Sequence, residues 1–251
     1  AAAVEAGGAG AGSASGGSSG PVPEEIGAAG GAGADGDAAS GKGAAAEPTA
    51  ASSSGGVESG TGEDAVPEEV VEAAKQGEEA AVLAWLDGGG RVDATFIHEG
   101  VSGITLLMAA AFYGHERLAV ALLQRGASID LQSSVGSTAL LWAAGRGHER
   151  VAEVLLQRGA SIDLQTSDGR TALMLAALNG HGRVVELVVR CGAEINLQSS
   201  IGNTALIIAA YTNHPAALHC LLRAGADTKP RTVAGHTALQ VAKEKGHAEC
   251  V

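Results

Sequence analysis

The sequence predicts an all-α repeat solenoid, in which helix–turn–helix units stack side by side and turns or hairpins join them. Three observations predict it. Glycine recurs at Gly103, Gly136, Gly169, Gly202 and Gly235, a step of 33 residues. The same step carries Thr105, Thr138, Thr171, Thr204 and Thr237, then Leu107, Leu140, Leu173, Leu206 and Leu239, then His115, His148, His181, His214 and His247. Only 2% of the chain is aromatic, too little side-chain volume for one thick core of this length but enough for many thin layers.

The contents of one unit, Gly136 to Gly169, justify each element. Thr138 precedes an apolar run from Ala139 to Ala144. Its hydroxyl can accept a backbone N–H, so it suits an N-cap. The alanines of this short first helix let a neighbour approach closely. Gly147 can end the helix in a left-handed conformation. A second helix follows His148, with Val151, Val154 and Leu155 at the i, i+3, i+4 spacing of one apolar stripe. Gly159 ends it, and Leu164 to Asp168 form a polar turn before the next glycine. One such unit leaves both helices half exposed; stacking buries a continuous core.

The repeat resembles the ankyrin-repeat family. G-S-T-A-L at 136–140, G-R-T-A-L at 169–173 and G-N-T-A-L at 202–206 carry the resemblance. G-H at 114–115, 147–148, 180–181 and 246–247 supports it, as does R-G-A-S-I-D at 125–130 and 158–163. It covers residues 67–251. The expected T-P-L-H reads here as T-A-L followed by Leu141, Met174 or Ile207, so the helix-starting proline and the cap-reinforcing histidine are missing. Asn213 stands where the other units carry their turn glycine, and Pro215 follows at a first-turn position.

Residues 67–102 read as a divergent cap, with helices over Glu68–Gly77 and Glu78–Gly89 and Trp85 on the inner stripe. Full repeats follow at 103–135, 136–168, 169–201 and 202–234. Nine residues separate Asp93 from Gly103, against five between Asp130 and Gly136. This insertion carries Phe96, Ile97 and His98, which serve either as a contact surface or as extra packing on the cap. The last repeat, 235–251, is short: its second helix stops after about one turn. With Ala1 rather than Met at the start, the chain reads as a piece of a longer protein.

Residues 1–66 have a different composition: 19 Ala, 18 Gly and 9 Ser. Such a segment cannot bury enough surface to offset its ordering entropy and reads as a disordered tail. Nine acids stand there against Lys42 alone, so the tail holds −8 of the net −12. Gly31, Gly33 and Gly36 match a dinucleotide fingerprint, and Gly36, Gly41 and Lys42 a phosphate loop. Neither match has the strand before or the helix after that the chemistry needs, and no Ser or Thr follows Lys42, so both read as accidents of composition.

Charge and composition exclude several classes. The acidic balance argues against a nucleic-acid partner, since phosphate contact needs a basic face. No apolar run reaches the roughly 18 residues of a membrane span. Three cysteines make no disulfide framework, and with no export signal the expected setting is a reducing interior, cytoplasmic with the nucleus as the alternative. Five of the eight histidines repeat at one position, which stacking would hold about 10 Å apart. Zinc ligands must lie about 2 Å from one ion, so these histidines read as helix-start residues bonded to backbone. Cys220 and Cys250 fall on the inward stripe, and Cys191 falls on an exposed column. No Ser–His–Asp set or carboxylate pair stands outside the repeat. The sequence therefore predicts no enzyme, no metal and no cofactor.

By resemblance, ankyrin arrays bind proteins on a concave face made by first helices and turn tips. The candidates on the first helices are Phe112, Tyr113, Arg146, Leu178, Asn179, Tyr211 and Thr212. Those on the tips are Asp168, Arg170 and Asn203. Phe112 and Leu178 also have the alternative of covering a neighbouring helix. Tyr and Arg are frequent interface anchors. The expected function is a monomeric, non-catalytic module that binds one protein partner. The alternative is the targeting segment of a larger signalling enzyme, ubiquitin-ligase subunit or channel.

Overall fold

The computed structural model describes residues 66–251. Residues 1–65, with the tail and its two glycine matches, lie outside the described residues. Val66 is buried against the first helix of the array.

Helices pair along the chain. The cap is α1 (Glu68–Gln76) and α2 (Glu79–Asp87). A hairpin of β1 (Thr95–His98) and β2 (Val101–Thr105) follows. Then come α3 (Leu106–Tyr113) with α4 (Glu116–Gln124), α5 (Ala139–Arg146) with α6 (Glu149–Gln157), and α7 (Ala172–Leu178) with α8 (Gly182–Arg190). The array continues with α9 (Ala205–Tyr211), α10 (Pro215–Arg223) and α11 (Ala238–Lys245), and a short 3-10 turn at Ala248–Cys250 follows. Odd-numbered helices pack on one another in one layer and even-numbered helices in a second. This is the all-α repeat architecture that the 33-residue period predicts.

The threonine column starts each first helix from α3 onward. The hydroxyl of Thr105 accepts from Met108 N–H at 3.2 Å, and Thr171 accepts from Met174 N–H at 3.3 Å. Thr237 adds a capping box with Gln240. Between these caps and the helix ends, Leu107, Leu140, Leu173 and Leu206 are buried, and so are the alanine pairs at 110–111, 143–144, 176–177 and 209–210. With a methyl group in place of a long side chain, neighbouring first helices approach closely.

Each histidine of the repeat column is a tie between units. His148 Nε2 donates to Phe112 O at 2.9 Å, and His181 and His214 donate to Gly145 O and Leu178 O, each at 3.1 Å. His115 reaches Lys75 O at 2.6 Å. The ring lies over the glycine that ends the preceding first helix. A Cβ built on Gly147 would stand 2.6 Å from His181 Nδ1, and Gly147 has φ +77°. Both the left-handed backbone and the overlying ring demand glycine there. Asn213 takes the same left-handed turn at φ 57° but carries a Cβ. The ring above it is turned: His247 uses Nδ1, not Nε2, and bonds Ala210 O at 2.9 Å.

Turn tips make a second set of ties. Ser134 N–H donates to Ser102 O, Ser167 N–H to Val135 O, Ser200 N–H to Asp168 O and Val233 N–H to Ile201 O, at 2.9 to 3.1 Å. Gly169 permits this approach, because a Cβ there would meet Ser200 N at 2.8 Å. A third set joins the loops after the second helices. Asp93, Asp130, Asp163 and Asn196 accept from backbone N–H groups of Ser128, Ser161, Glu194 and Asp227.

The insertion forms the β1–β2 hairpin. Glu99 and Gly100 both have positive φ, 50° and 80°, the signature of a primed two-residue turn. Phe96 pairs with Ile104 and His98 with Val101, so Ile97 faces two residues, Ser102 and Gly103. That is a bulge on β2. Phe96 packs against the core, whereas Ile97 stands 72% exposed. The packing alternative holds for Phe96, and alternate side chains of β1 face inward and outward.

Candidate functional site

The ends of the first helices line up along one face, since α3, α5, α7, α9 and α11 pack in sequence. That order places seven of the sequence candidates in adjoining units. At α3 and α5 they form an aromatic cluster. Phe112 packs edge-on against Trp142, with centroids 5.2 Å apart, and against Tyr113 at 4.8 Å. The Arg146 guanidinium lies 3.9 Å from the Phe112 ring centre, a cation over a π face. The Tyr113 hydroxyl is hydrogen-bonded to His98 Nε2 at 3.2 Å, which ties the hairpin to α3. The Tyr113 ring also stacks on His115 at 6.3 Å.

Further along the face, Leu178 is half-buried against the core. Asn179 is exposed, and its amide N–H groups donate to Gly145 O at 2.9 Å and Leu175 O at 3.1 Å. Tyr211 is half-buried under Lys245, whose Nζ lies 4.4 Å from the ring centre. Thr212 donates its hydroxyl to Ile208 O at 2.9 Å.

The tip candidates behave differently. Asp168 accepts from Thr166 and pairs with Arg170 at 2.8 Å. Arg170 is only 8% exposed and Asn203 only 3%, so neither is presented to solvent as a tip residue would be. Each follows a glycine whose missing Cβ lets the next tip settle close. Asn203 Oδ1 and His236 Nδ1, one unit further on, are buried without a hydrogen-bond partner.

Sequence reasoning passed over two residues of this face, Trp142 and Leu175, and flagged His98 only as part of the insertion. Trp142 and Leu175 share a column with Ala109, Ile208 and Val241, which reads as core. The last three are indeed buried, but Trp142 and Leu175 are half open. The Trp142 indole N–H is buried with no partner. His98 lies in the insertion, where no repeat column marks it. The i, i+3 spacing from Trp142 to Gly145 and from Leu175 to Leu178 is the signal that could have joined these columns.

The titratable groups are those of a packed scaffold. Burial, then the positive charges of Arg146, His115 and His181, holds His148 below the usual histidine value; its bond to Phe112 O acts in the opposite direction. Burial raises the Cys220 and Cys250 thiols, and Cys191 is exposed. Among the described residues no three His, Cys, Asp or Glu side chains gather as metal ligands, and no helix is long and apolar enough to cross a membrane.

A search of curated proteins finds no match to the chain. The family model for ankyrin repeats in three copies matches residues 70–166, 106–199 and 173–251. Those spans together cover nearly all of the described array, and the chain belongs to the ankyrin-repeat family.

Proposed function

We propose that the chain is a non-catalytic module that binds a protein partner on the face formed by its first helices and turn tips. Ankyrin repeats are in general protein–protein interaction modules. The observation that carries the assignment to this face is the cluster of Phe112, Tyr113, Trp142 and Arg146, continued by Leu178, Asn179 and Tyr211. Half-buried aromatic rings beside a guanidinium are the groups that most often anchor protein interfaces. Asp168 contributes at the rim. Arg170 and Asn203 act only from beneath, as supports of the tips. The three free thiols agree with a reducing compartment. The test is quantitative partner capture by the wild-type chain and by the double variant Tyr113→Ala, Tyr211→Ala. The expected result is loss of captured proteins by a variant that still unfolds cooperatively, with a urea midpoint lowered by the lost ring contacts but well above the assay condition. Equal capture by both would refute the first-helix face as the binding surface.

A further inference from the structure

The row formed by the third residue after each Trp142-type position reads Phe112, Gly145, Leu178, Tyr211 and Glu244. One member has no side chain. A Cβ built on Gly145 would meet only Leu175 Cβ at 3.7 Å and Cδ1 at 4.0 Å, both ordinary contacts. The helix there is regular, so no backbone geometry demands glycine. Gly145 thus leaves a notch in the row, with Phe112 one unit before it and Leu178 one unit after.

The rim of the notch has a definite polarity. Arg146 stands beside it, its guanidinium over Phe112. The Trp142 indole N–H, one turn away on the same helix, is buried and takes no part in the rim. On the other side, Asn179 gives both amide N–H groups to carbonyls of Gly145 and Leu175, so Oδ1 is the atom it offers outward. Thr212 in the next unit has likewise donated its hydroxyl proton inward and offers only an acceptor. The guanidinium therefore stands on the Phe112 side and acceptors on the Leu178–Tyr211 side.

We propose, on the basis of the protein-binding reading above, that the notch at Gly145 receives an apolar side chain of an extended partner segment whose carboxylate meets Arg146. Neighbouring units are about 10 Å apart, and an extended chain advances about 3.3 Å per residue. The acidic residue and the apolar residue of the partner therefore lie within about three residues of each other. Backbone N–H groups of the same segment meet Asn179 Oδ1 and Thr212 Oγ1.

A library of short random peptides displayed on phage, selected against the full chain, tests this. Gly145→Leu fills the notch with a good helix former, so its melting temperature stays level or rises. The expected peptides carry Asp or Glu near a Leu, Ile, Met or Phe. They bind Gly145→Leu about tenfold or more weakly, the scale of a blocked apolar pocket. Arg146→Glu removes the guanidinium over Phe112 and weakens the same peptides without filling the notch. Peptides that ignore both variants but are lost on Tyr113→Ala, Tyr211→Ala overturn the notch and leave the face standing. Peptides that bind every variant alike overturn the face as well. Selection of basic peptides, or of none, overturns the proposal.

Discussion

His148 shows how a single residue couples the scaffold to pH. In the unfolded chain it takes up a proton near 6.5; in the folded protein, burial and the neighbouring cations hold its value lower. Below 6.5 the unfolded state therefore binds more protons, and stability falls with pH until the folded value is passed. The urea midpoint of the wild type should drop between about pH 7.5 and 5, and that of His148→Gln should drop less. An identical drop in both would show that other groups control acid sensitivity. Arg170 and Asn203 illustrate what the sequence could not reveal at this scale. They follow the turn glycines Gly169 and Gly202 in exposed-looking tip sequences, yet both are buried in the stacked array. Trp142 is the converse case, an aromatic in an otherwise buried column that is left partly open.

The histidine–glycine joint is the recurring device at the scale of elements. It was legible as a pair of 33-residue columns, and the helix-start role assigned to the histidine fits. Its direction was not legible, because the bond runs to the carbonyl of the preceding unit rather than to its own helix. Gly147→Ala tests the joint. The alanine Cβ must occupy both a left-handed backbone and the space of the His181 ring. We expect a loss of more than about 1 kcal/mol in urea unfolding, where the same change at an unstrained site would stabilise. No loss would mean that the ring moves freely and bonds little. The β1–β2 hairpin was the least legible element. Its signal is the pair Glu99–Gly100, a weak turn signature, and its packing depends on Tyr113 and the core beyond it.

For the whole array, stability depends on how many neighbours a unit has. Leu140 and Leu239 occupy the same repeat position, yet Leu140 is buried and Leu239 is 47% exposed. Leu140→Ala should cost about 2–5 kcal/mol, and Leu239→Ala less than about 1 kcal/mol. Equal costs would contradict the layered core. The order of the layers was legible because Gly, Thr, Leu and His each hold one column and every column agrees. The candidate face was legible only in outline, since binding residues sit in the columns that vary, and variation alone does not separate an open side chain from a covered one.

The three sets of cross-unit hydrogen bonds, from histidine rings, turn tips and the Asp/Asn column, join only adjacent units. Among the described residues no tie of these three kinds clasps one end of the array to the other. Under a pulling force the load therefore passes through each joint in turn, and the joints yield singly rather than together. Each full repeat that peels away releases 33 residues, about 110 Å of extended chain in place of about 10 Å of stacked array. The array thus lengthens in near-equal steps of about 100 Å, and acts as a graded spring rather than a single latch.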